Sequence, residues 1–368
     1  MARSRYALCA AAAILVVMSV FASMASAKPD PGGTLVEGLD NPRGIAAGGG
    51  GSVLVAESGN GKLTLVEPRR RGAPAVRTFV TLPVDPEAGL GPVDVAFKSL
   101  NKVWAVLSGP PEEGGGDFGR LVRLNRKGKI VESVDIAAHQ VTDPDPDDQE
   151  GIPDESNPNG LALLSGGGVL VTDAAGNDLL KVDTRRKITT VARFKPELVP
   201  WPSGLPFPGP VEPGEPFPVE AVPTAVAIGP DGAWYVSELK GFPFPQGKSR
   251  IWRIEPGSVG ATCDPANPNV GPCRTVATGF TSVIDLAFGR DGTMYVLEIV
   301  KNGLLGVEVF GEPPIGALWA VKGGTKTELA TGTLMAPGGV AVSYDGTLNV
   351  TTGTVFGPGA GAVVRVRP

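Results

Sequence analysis

A single histidine, His139, serves the whole 368-residue chain. It sits in a polar connection, and no Gly-x-Ser-x-Gly elbow stands elsewhere, so nucleophilic catalysis finds little support. Basic residues are in deficit, with 33 Lys and Arg against 38 Asp and Glu and a formal net charge of −5. That balance excludes nucleic acid as the main partner, which would want a basic surface. Beyond the amino-terminal segment no apolar run is long enough to span a bilayer. Cysteine is limited to Cys9, Cys263 and Cys273. Two thiolates with no neighbouring histidine or third cysteine cannot close a tetrahedral metal shell. Cys263 and Cys273, with nine residues between them, are instead expected to form one local disulfide, worth about 2–3 kcal/mol in the chain-entropy picture.

What is present begins with an export signal over residues 1–27. Arg3 and Arg5 supply a positive start, Leu8 to Phe21 an apolar run, and Ala25-Ser26-Ala27 a small-residue cleavage pattern. An uncleaved anchor is the competing reading; the small residues after Phe21 favour cleavage and a secreted product without membrane contact. An oxidising destination suits the disulfide.

From residue 28 onward the chain is organised by repetition. Six apolar strands are built around an alanine, at Ala46, Ala96, Ala162, Ala227, Ala287 and Ala341, and each is answered eight to ten residues later by a second strand. The alanines recur every 50 to 66 residues, loop insertions absorbing the variation. A strand-only repeat of that length predicts an all-β, six-bladed β-propeller over 28–368. The predicted blades span approximately 43–80, 92–135, 158–194, 222–279, 282–331 and 337–367. Alanine on the innermost strand fits the crowding expected where blades converge. The last repeat lacks a fourth strand, and Gly33-Thr34-Leu35-Val36-Glu37-Gly38-Leu39 resembles the fourth strands of other repeats, such as Arg274 to Phe280. Residues 33–39 are therefore predicted to complete blade six and remove an exposed sheet edge.

This topology sends the connections between blades and the second-to-third-strand turns to one face. That face receives the long loops, 81–91, 108–118, 136–158, 195–222, 239–248, 299–315 and 352–360, where binding is usually found. Charge sorts the same way. Acids including Glu112, Glu113, Asp117, Glu150, Glu197 and Glu308 fall on the long-loop face, whereas Arg69, Arg70, Arg71, Arg126, Lys127, Arg185, Arg186 and Lys187 fall on the other. Solubility alone accounts for such polarity as well as function does.

Several stretches resemble the ScyD/ScyE family of secreted propeller proteins. They include Asn157 to Ala162, Val171 to Leu180, Ala221 to Ala227, Gly232 to Leu239, the segment Gly241-Phe242-Pro243-Phe244-Pro245, and Ile284 to Phe288. The resemblance covers most of the chain after residue 28 and implies export and a propeller; it implies no reaction.

Candidate chemistry gathers at one mouth of the central channel. The first strands begin with Arg43, Asp94, Asn159, Thr224 and Asp285, and the second strands end with Glu57, Asp173, Glu238 and Glu298. Such a ring of oxygens could bind a ligand or hold Ca²⁺. The plainer reading is that the repeated acids accept hydrogen bonds from turn amides and brace the blades. Pro158-Asn159-Gly160-Leu161 also resembles a strand start in calcium-dependent lactonases of the gluconolactonase type, which with the NHL proteins share this architecture. Asn159 and Asp285 are the metal ligands that resemblance implies, although Pro223-Thr224-Ala225 stands where an aspartate is expected and Asp285 is one position out of register. The run Asp143-Pro144-Asp145-Pro146-Asp147-Asp148 lacks the turn glycine of a calcium loop and reads as solvated. A quinone-dependent dehydrogenase would want a histidine near the axis, a place His139 does not fill. Loop 195–222, with Trp201, Phe207 and Phe217, could stack a sugar, pigment or peptide; we read it instead as a lid over the mouth. The leading expectation is a secreted monomeric propeller that binds a small molecule or extracellular partner on its long-loop face and requires no cofactor. The alternative is a calcium- or metal-dependent lactonase or esterase-like hydrolase at the channel mouth.

Overall fold

Inner strands that carry glycine or alanine can approach one another closely, and six of them do so around a common axis. The computed structural model describes residues 33–109 and 116–368. The export signal, Glu112 and Glu113 thus lie outside the described residues. Six four-stranded antiparallel sheets follow one another along the chain. Blade 1 comprises Pro42–Ala47, Val53–Glu57, Lys62–Glu67 and Ala75–Thr81. Blade 2 runs through Pro92–Ser99, Lys102–Leu107, Arg120–Leu124 and Ile130–Asp135, and blade 3 through Pro158–Leu163, Val169–Asp173, Asp178–Val182 and Ile188–Phe194. Blade 4 uses Pro223–Ile228, Trp234–Glu238, Ser249–Ile254 and Cys273–Phe280, and blade 5 uses Val283–Phe288, Met294–Glu298, Ala317–Lys322 and Thr325–Leu329. Blade 6 has Gly339–Val342, Leu348–Thr352 and Gly361–Val366 from the carboxy-terminal end, and Thr34–Leu39 supplies its outer strand. The pairing Thr34↔Val364 and Leu39↔Gly361 realises the closure expected from the strand pattern. No described helix is long and apolar enough to cross a membrane.

Blade faces are built from alternating Val, Leu and Ile, and their buried sides pack between neighbouring sheets. Leu54, Leu63, Leu65, Val103, Ala105 and Val122, for example, form one apolar layer between blades 1 and 2. Nearer the axis there is no room for such side chains. A Cβ placed on Gly44 would lie 2.5 Å from the Cα of Asp94, and one on Gly160 would lie 2.7 Å from the Cα of Ala225. The closest approach therefore falls two residues before the repeated alanine, at glycine.

Five of the six inner strands begin with a register irregularity, between Pro42 and Ile45, Pro92 and Asp94, Pro158 and Leu161, Pro223 and Val226, and Val283 and Asp285. Proline suits the first residue of four of these strands because no ladder donor is lost there. A bulge turns the residue it contains away from the sheet face. Arg43, Asn159 and Thr224 lie inside these irregularities, whereas Asp94 and Asp285 directly follow theirs and pair with Val106 and Leu297.

Two insertions add structure at the rim. The loop after blade 3 forms a hairpin of Glu197–Pro200 with Pro216–Val219. Farther along, Ala261–Cys263 leaves blade 4 and pairs in parallel with the outer strand of blade 3, so that blade acquires a fifth strand. The Cys263–Cys273 disulfide ties that added strand to the outer strand of blade 4. The bridge thus fastens two adjacent blades, more than the stapled loop expected from sequence.

Axial crowding should be measurable. Gly160→Ala is expected to lower stability by about 1–3 kcal/mol through overpacking in urea denaturation. Gly166→Ala, on the turn of the same blade where nothing lies within 4 Å of a new Cβ, should leave the midpoint almost unchanged.

Candidate functional site

The strand starts do two different jobs. Asp94 and Asp285 fasten blades together. The Leu161 N–H of blade 3 donates to Asp94 Oδ2 at 2.8 Å, and the Val340 N–H of blade 6 donates to Asp285 Oδ2 at 2.7 Å. Each remaining oxygen accepts the amide of the following residue, Val95 or Leu286, at 2.7 Å. Thr224 is a strut of the same kind, its hydroxyl donating to Val283 O at 2.9 Å across the junction of blades 4 and 5. Between blades 6 and 1, Thr351 donates to Arg43 O at 2.7 Å.

Arg43 is different. Among the described residues its guanidinium forms no hydrogen bond and no ion pair within 4 Å, although Asp94 is near enough to act on it through space. Burial pushes its pKa down to about 10, with the Asp94 charge opposing, so it remains cationic at neutral pH. Burial, then the charge of Asp285, drives Asp94 well above the usual carboxylate range against the pull of its two amides. Asp285 is pushed up to about 7 by burial. Arg43 thus acts on Asp94, and Asp94 in turn feels Asp285 from the blade opposite its own in the ring.

Acids at the second-strand ends turn out to be braces. Glu57 accepts the Asp40 N–H at 2.8 Å and the hydroxyl of Thr64. Asp173 accepts the Asn157 N–H and the Ser156 hydroxyl, both at 2.6 Å, and Glu298 accepts the Thr281 N–H at 2.7 Å. In all three the backbone donor lies 16 or 17 residues earlier, where the chain enters its blade. Glu238 departs from the pattern. It accepts the Trp252 indole N–H and pairs with Lys240 at 2.7 Å, and Lys240 and Arg250 in turn reach Glu197 of the hairpin. These acids thus serve contacts within and between blades, in line with the plainer of the two sequence readings.

Above the strand starts lies a cleft on the long-loop face, in two adjoining compartments. The larger, about 290 Å³, is walled by Leu239, Ile284, Ile299, Val300, Leu304, Val307 and Phe356. The smaller, about 90 Å³, is lined by Asn157, Asn159, Thr224, Lys240, Phe242 and Phe244 and by the carboxyls of Asp148, Glu150, Glu155 and Glu220. Arg43, Leu239, Ile284, Leu304 and Glu308 border both. Glu308 sits on a short helix, Leu304–Phe310, flanked by Gly303 and Gly311, both with positive φ. Burial pushes it up to about 8. Burial likewise pushes Glu150 up to about 8 and Glu220 up to about 7.

The aromatics of the proline-rich loop pack together behind the wall of the smaller compartment, and Trp201, Phe207 and Phe217 themselves do not line it. Trp201 is 5% exposed, packed edge-on against Phe217 at 4.8 Å and against Phe242 at 5.7 Å. Phe242 in turn meets Phe244, at 5.6 Å, on the wall of the smaller compartment. Phe207 keeps 43% of its surface exposed.

Other sequence candidates do not assemble. Both oxygens of Asp285 already hold amides, and Asn159 belongs to the smaller compartment. Among the described residues, no three His, Cys, Asp or Glu side chains converge as a metal-holding group. Asp145 and Asp148 are spent on turn amides, including Asp147 N–H at 2.9 Å and Gly151 N–H at 2.6 Å. The fold does bring a hydroxyl to His139, with Thr190 Oγ1 3.2 Å from Nε2. Asp143 reaches that same nitrogen, at 3.5 Å, and also takes the Thr190 proton, so the imidazole does not relay between them. Neither residue borders the cleft. Glu308 was visible in sequence only as one acid among many; a lone glutamate in the apolar run Leu304 to Phe310, between glycines, is the signal that could have marked it.

No family model and no curated protein matches the chain. Solved structures do share its fold. A protein described as an oxidoreductase of the glucose dehydrogenase kind from Thermus thermophilus is 21% identical with a TM-score of 0.53, over 90% of this chain and 98% of that one. The PQQ-bound aldose sugar dehydrogenase of Streptomyces coelicolor is 17% identical with a TM-score of 0.53, over 93% and 98%. A protein described as belonging to the gluconolactonases is 11% identical with a TM-score of 0.51, over 94% of each chain. At these identities the likeness establishes the propeller and nothing about chemistry.

The buried acids predict an unusual pH profile. A carboxyl whose pKa rises on folding holds its proton more tightly when folded. Its contribution is complete below the ordinary carboxylate range and is lost as pH climbs toward the folded value. With Asp285, Glu150, Glu220, Glu298 and Glu308 all raised to about 7 or 8, thermal unfolding should occur at a higher temperature near pH 5 than near pH 8. Asp285→Asn should make that difference smaller in calorimetric scans.

Proposed function

We propose that the protein is an exported binding module that holds an apolar molecule bearing a carboxylate in the axial cleft of its long-loop face. The observation carrying this reading is the Arg43 guanidinium, set in a desolvated cleft with no side-chain acceptor. A half-buried guanidinium with no acceptor among the described residues is open to a partner, and a planar carboxylate satisfies it in the bidentate geometry that arginine favours. Beside it the larger compartment offers a mainly apolar wall, Leu239, Ile284, Ile299 and Val307, for the body of the ligand. Such a pairing of apolar pocket and few polar anchors is the usual design of a small-molecule site.

The same cation weighs against a divalent ion at this mouth. A metal among Asn159, Asp94 and Asp285 would sit beside the Arg43 charge and would have to displace amides from Asp285. The hydrolase reading therefore has no observation of its own in its favour. Export is supported by the disulfide and by the leader pattern, and the ScyD/ScyE resemblance implies the same destination.

Calorimetric titration with 1-naphthylacetic acid, its primary amide and 1-naphthylmethylamine tests the reading. The acid should bind at least about tenfold more tightly than the amide, a difference of about 1.4 kcal/mol, and the amine should bind weakest. Arg43→Gln should abolish the preference while folding normally, since the side chain leaves no partner behind. Equal affinity of acid and amine, or an unchanged preference in Arg43→Gln, would remove the proposal.

A further inference from the structure

We infer that half of the propeller's base, the face opposite the cleft, is a docking surface for an extended acidic polysaccharide. The inference does not depend on what the cleft binds. In blades 1, 2 and 3 the third and fourth strands are joined by turns at 68–74, 125–129 and 183–187. Each turn carries three basic residues, in the groups Arg69 to Arg71, Arg126 to Lys129 and Arg185 to Lys187. All of them are exposed, and among the described residues none has a side-chain hydrogen bond or an ion pair within 4 Å. Lys98 and Lys102, also exposed, flank the first turn of blade 2 and extend the patch.

The other half of the base shows what this half lacks. In blades 4, 5 and 6 the turn between the first and second strands carries an aspartate, Asp231, Asp291 or Asp345, and a cation of the third strand answers it. Arg253 Nε donates to Asp231 at 2.7 Å, Lys322 donates to Asp291 at 2.6 Å, and Arg365 acts on Asp345 through space. The corresponding turns of blades 1 to 3, at 48–52, 99–101 and 164–168, hold no acid. Acids beside the basic turns are already engaged. Glu67 pairs with Arg77 at 3.6 Å, Glu132 pairs with Arg123, and Asp183 accepts its own turn amides at 2.7 and 2.9 Å. Glu132 also feels Lys102 of blade 2 and Arg186 of blade 3, so neighbouring blades share one positive field.

Glycine keeps the ground beside the basic turns low. A Cβ on Gly51 would lie 3.7 Å from Pro68 and one on Gly167 3.2 Å from Thr184, so these first turns adjoin the basic ones. A Cβ on Gly49, Gly50 or Gly166 would meet nothing within 4 Å, and a polymer can come down to the backbone there. One exposed ion pair contributes little, but a polyanion crossing three blades meets cations in series. Most of these cations are arginines, whose fork suits planar carboxylates and sulfates. The basic turns contain no aromatic residue and no leucine, the side chains that would anchor a membrane surface or stack nucleic-acid bases. Asp148, Glu150, Glu155 and Glu220 line the opposite face, so a polyanion is drawn to the base and the cleft stays open to the medium.

Biolayer interferometry of the purified protein on polygalacturonate, dextran sulfate and uncharged dextran tests the surface. At about 50 mM salt both anionic polymers should bind and dextran should not, and log affinity should fall linearly with log salt concentration. Arg70→Glu combined with Arg185→Glu should weaken binding at least about tenfold. Neither side chain has a partner to lose, so the thermal melt of that variant should match wild type. Arg290→Glu combined with Lys322→Glu makes the same charge change on the other half of the base and should cost about twofold at most. Arg43→Gln, which disables the cleft, should bind the polymers as wild type does. No binding to either anionic polymer, equal losses in the two double variants, or affinity indifferent to salt overturns the inference. Tighter binding to phosphatidylglycerol vesicles than to both polymers overturns it too, by giving the surface to a membrane.

Discussion

Everything in this molecule follows from how little space six inner strands leave around their axis. Glycine at 44 and 160 lets neighbouring backbones approach to distances that no side chain would permit. Once the backbones are that close, polar atoms on adjacent strands have to find one another rather than water. Asp94, Thr224, Asp285 and Thr351 answer that need by bridging blades. Ring closure is then a property of the inner wall as well as of the outer strand borrowed from residues 34–39. The disulfide strap between blades 3 and 4 adds a third fastening, at the rim.

The same crowding sets the electrostatics. A carboxyl held at the axis by two amides is also shielded from water, and the two effects oppose each other: amides draw its pKa down, burial drives it up. For Asp94 and Asp285 burial prevails. An acidic protein would ordinarily spread its charges into solvent, and the exposed Arg69, Arg126 and Arg185 turns do so on one face. On the other face the long loops fold inward and carry Glu150, Glu220 and Glu308 with them. Placing acids in such surroundings costs stability, and a fold that retains them keeps protons available near neutral pH. Arg43, which borders the cleft and has no side-chain partner among the described residues, gains its significance from that setting.

The architecture was legible because a propeller repeats. Ala46 and its five counterparts mark an inner strand each time, and the pattern of Arg274 to Phe280 was enough to place residues 33–39 in blade 6. The site was legible only as a set of positions. Sequence identified Arg43, Asp94, Asn159, Thr224 and Asp285 as strand starts at one mouth, and all five fall in the first residues of inner strands. It could not divide struts from free groups, because the partner of Asp285 is an amide 55 residues away in the next blade. Nor could it separate Glu57, Asp173 and Glu298 from a ligand ring, since an acid bracing its own blade recurs in the same register as a ligand would. Loop 299–315 gave no periodic signal, so the helix that carries Glu308 stayed hidden in it.

Repetition itself explains why the functional groups are the irregular ones. A brace recurs at most of the blade junctions, and the side chain that makes it is an acid or a hydroxyl each time. A ligand enters only one cleft, so the residues that meet it have no reason to recur. Arg43 is the only basic residue among the five strand starts. It also lacks the side-chain hydrogen bonds that the repeated groups share. In a scaffold of near-identical sheets, a polar side chain that breaks the repeat and has no partner in the fold is the one left available to an outside molecule. By that measure Arg43 stands apart from the acids around it.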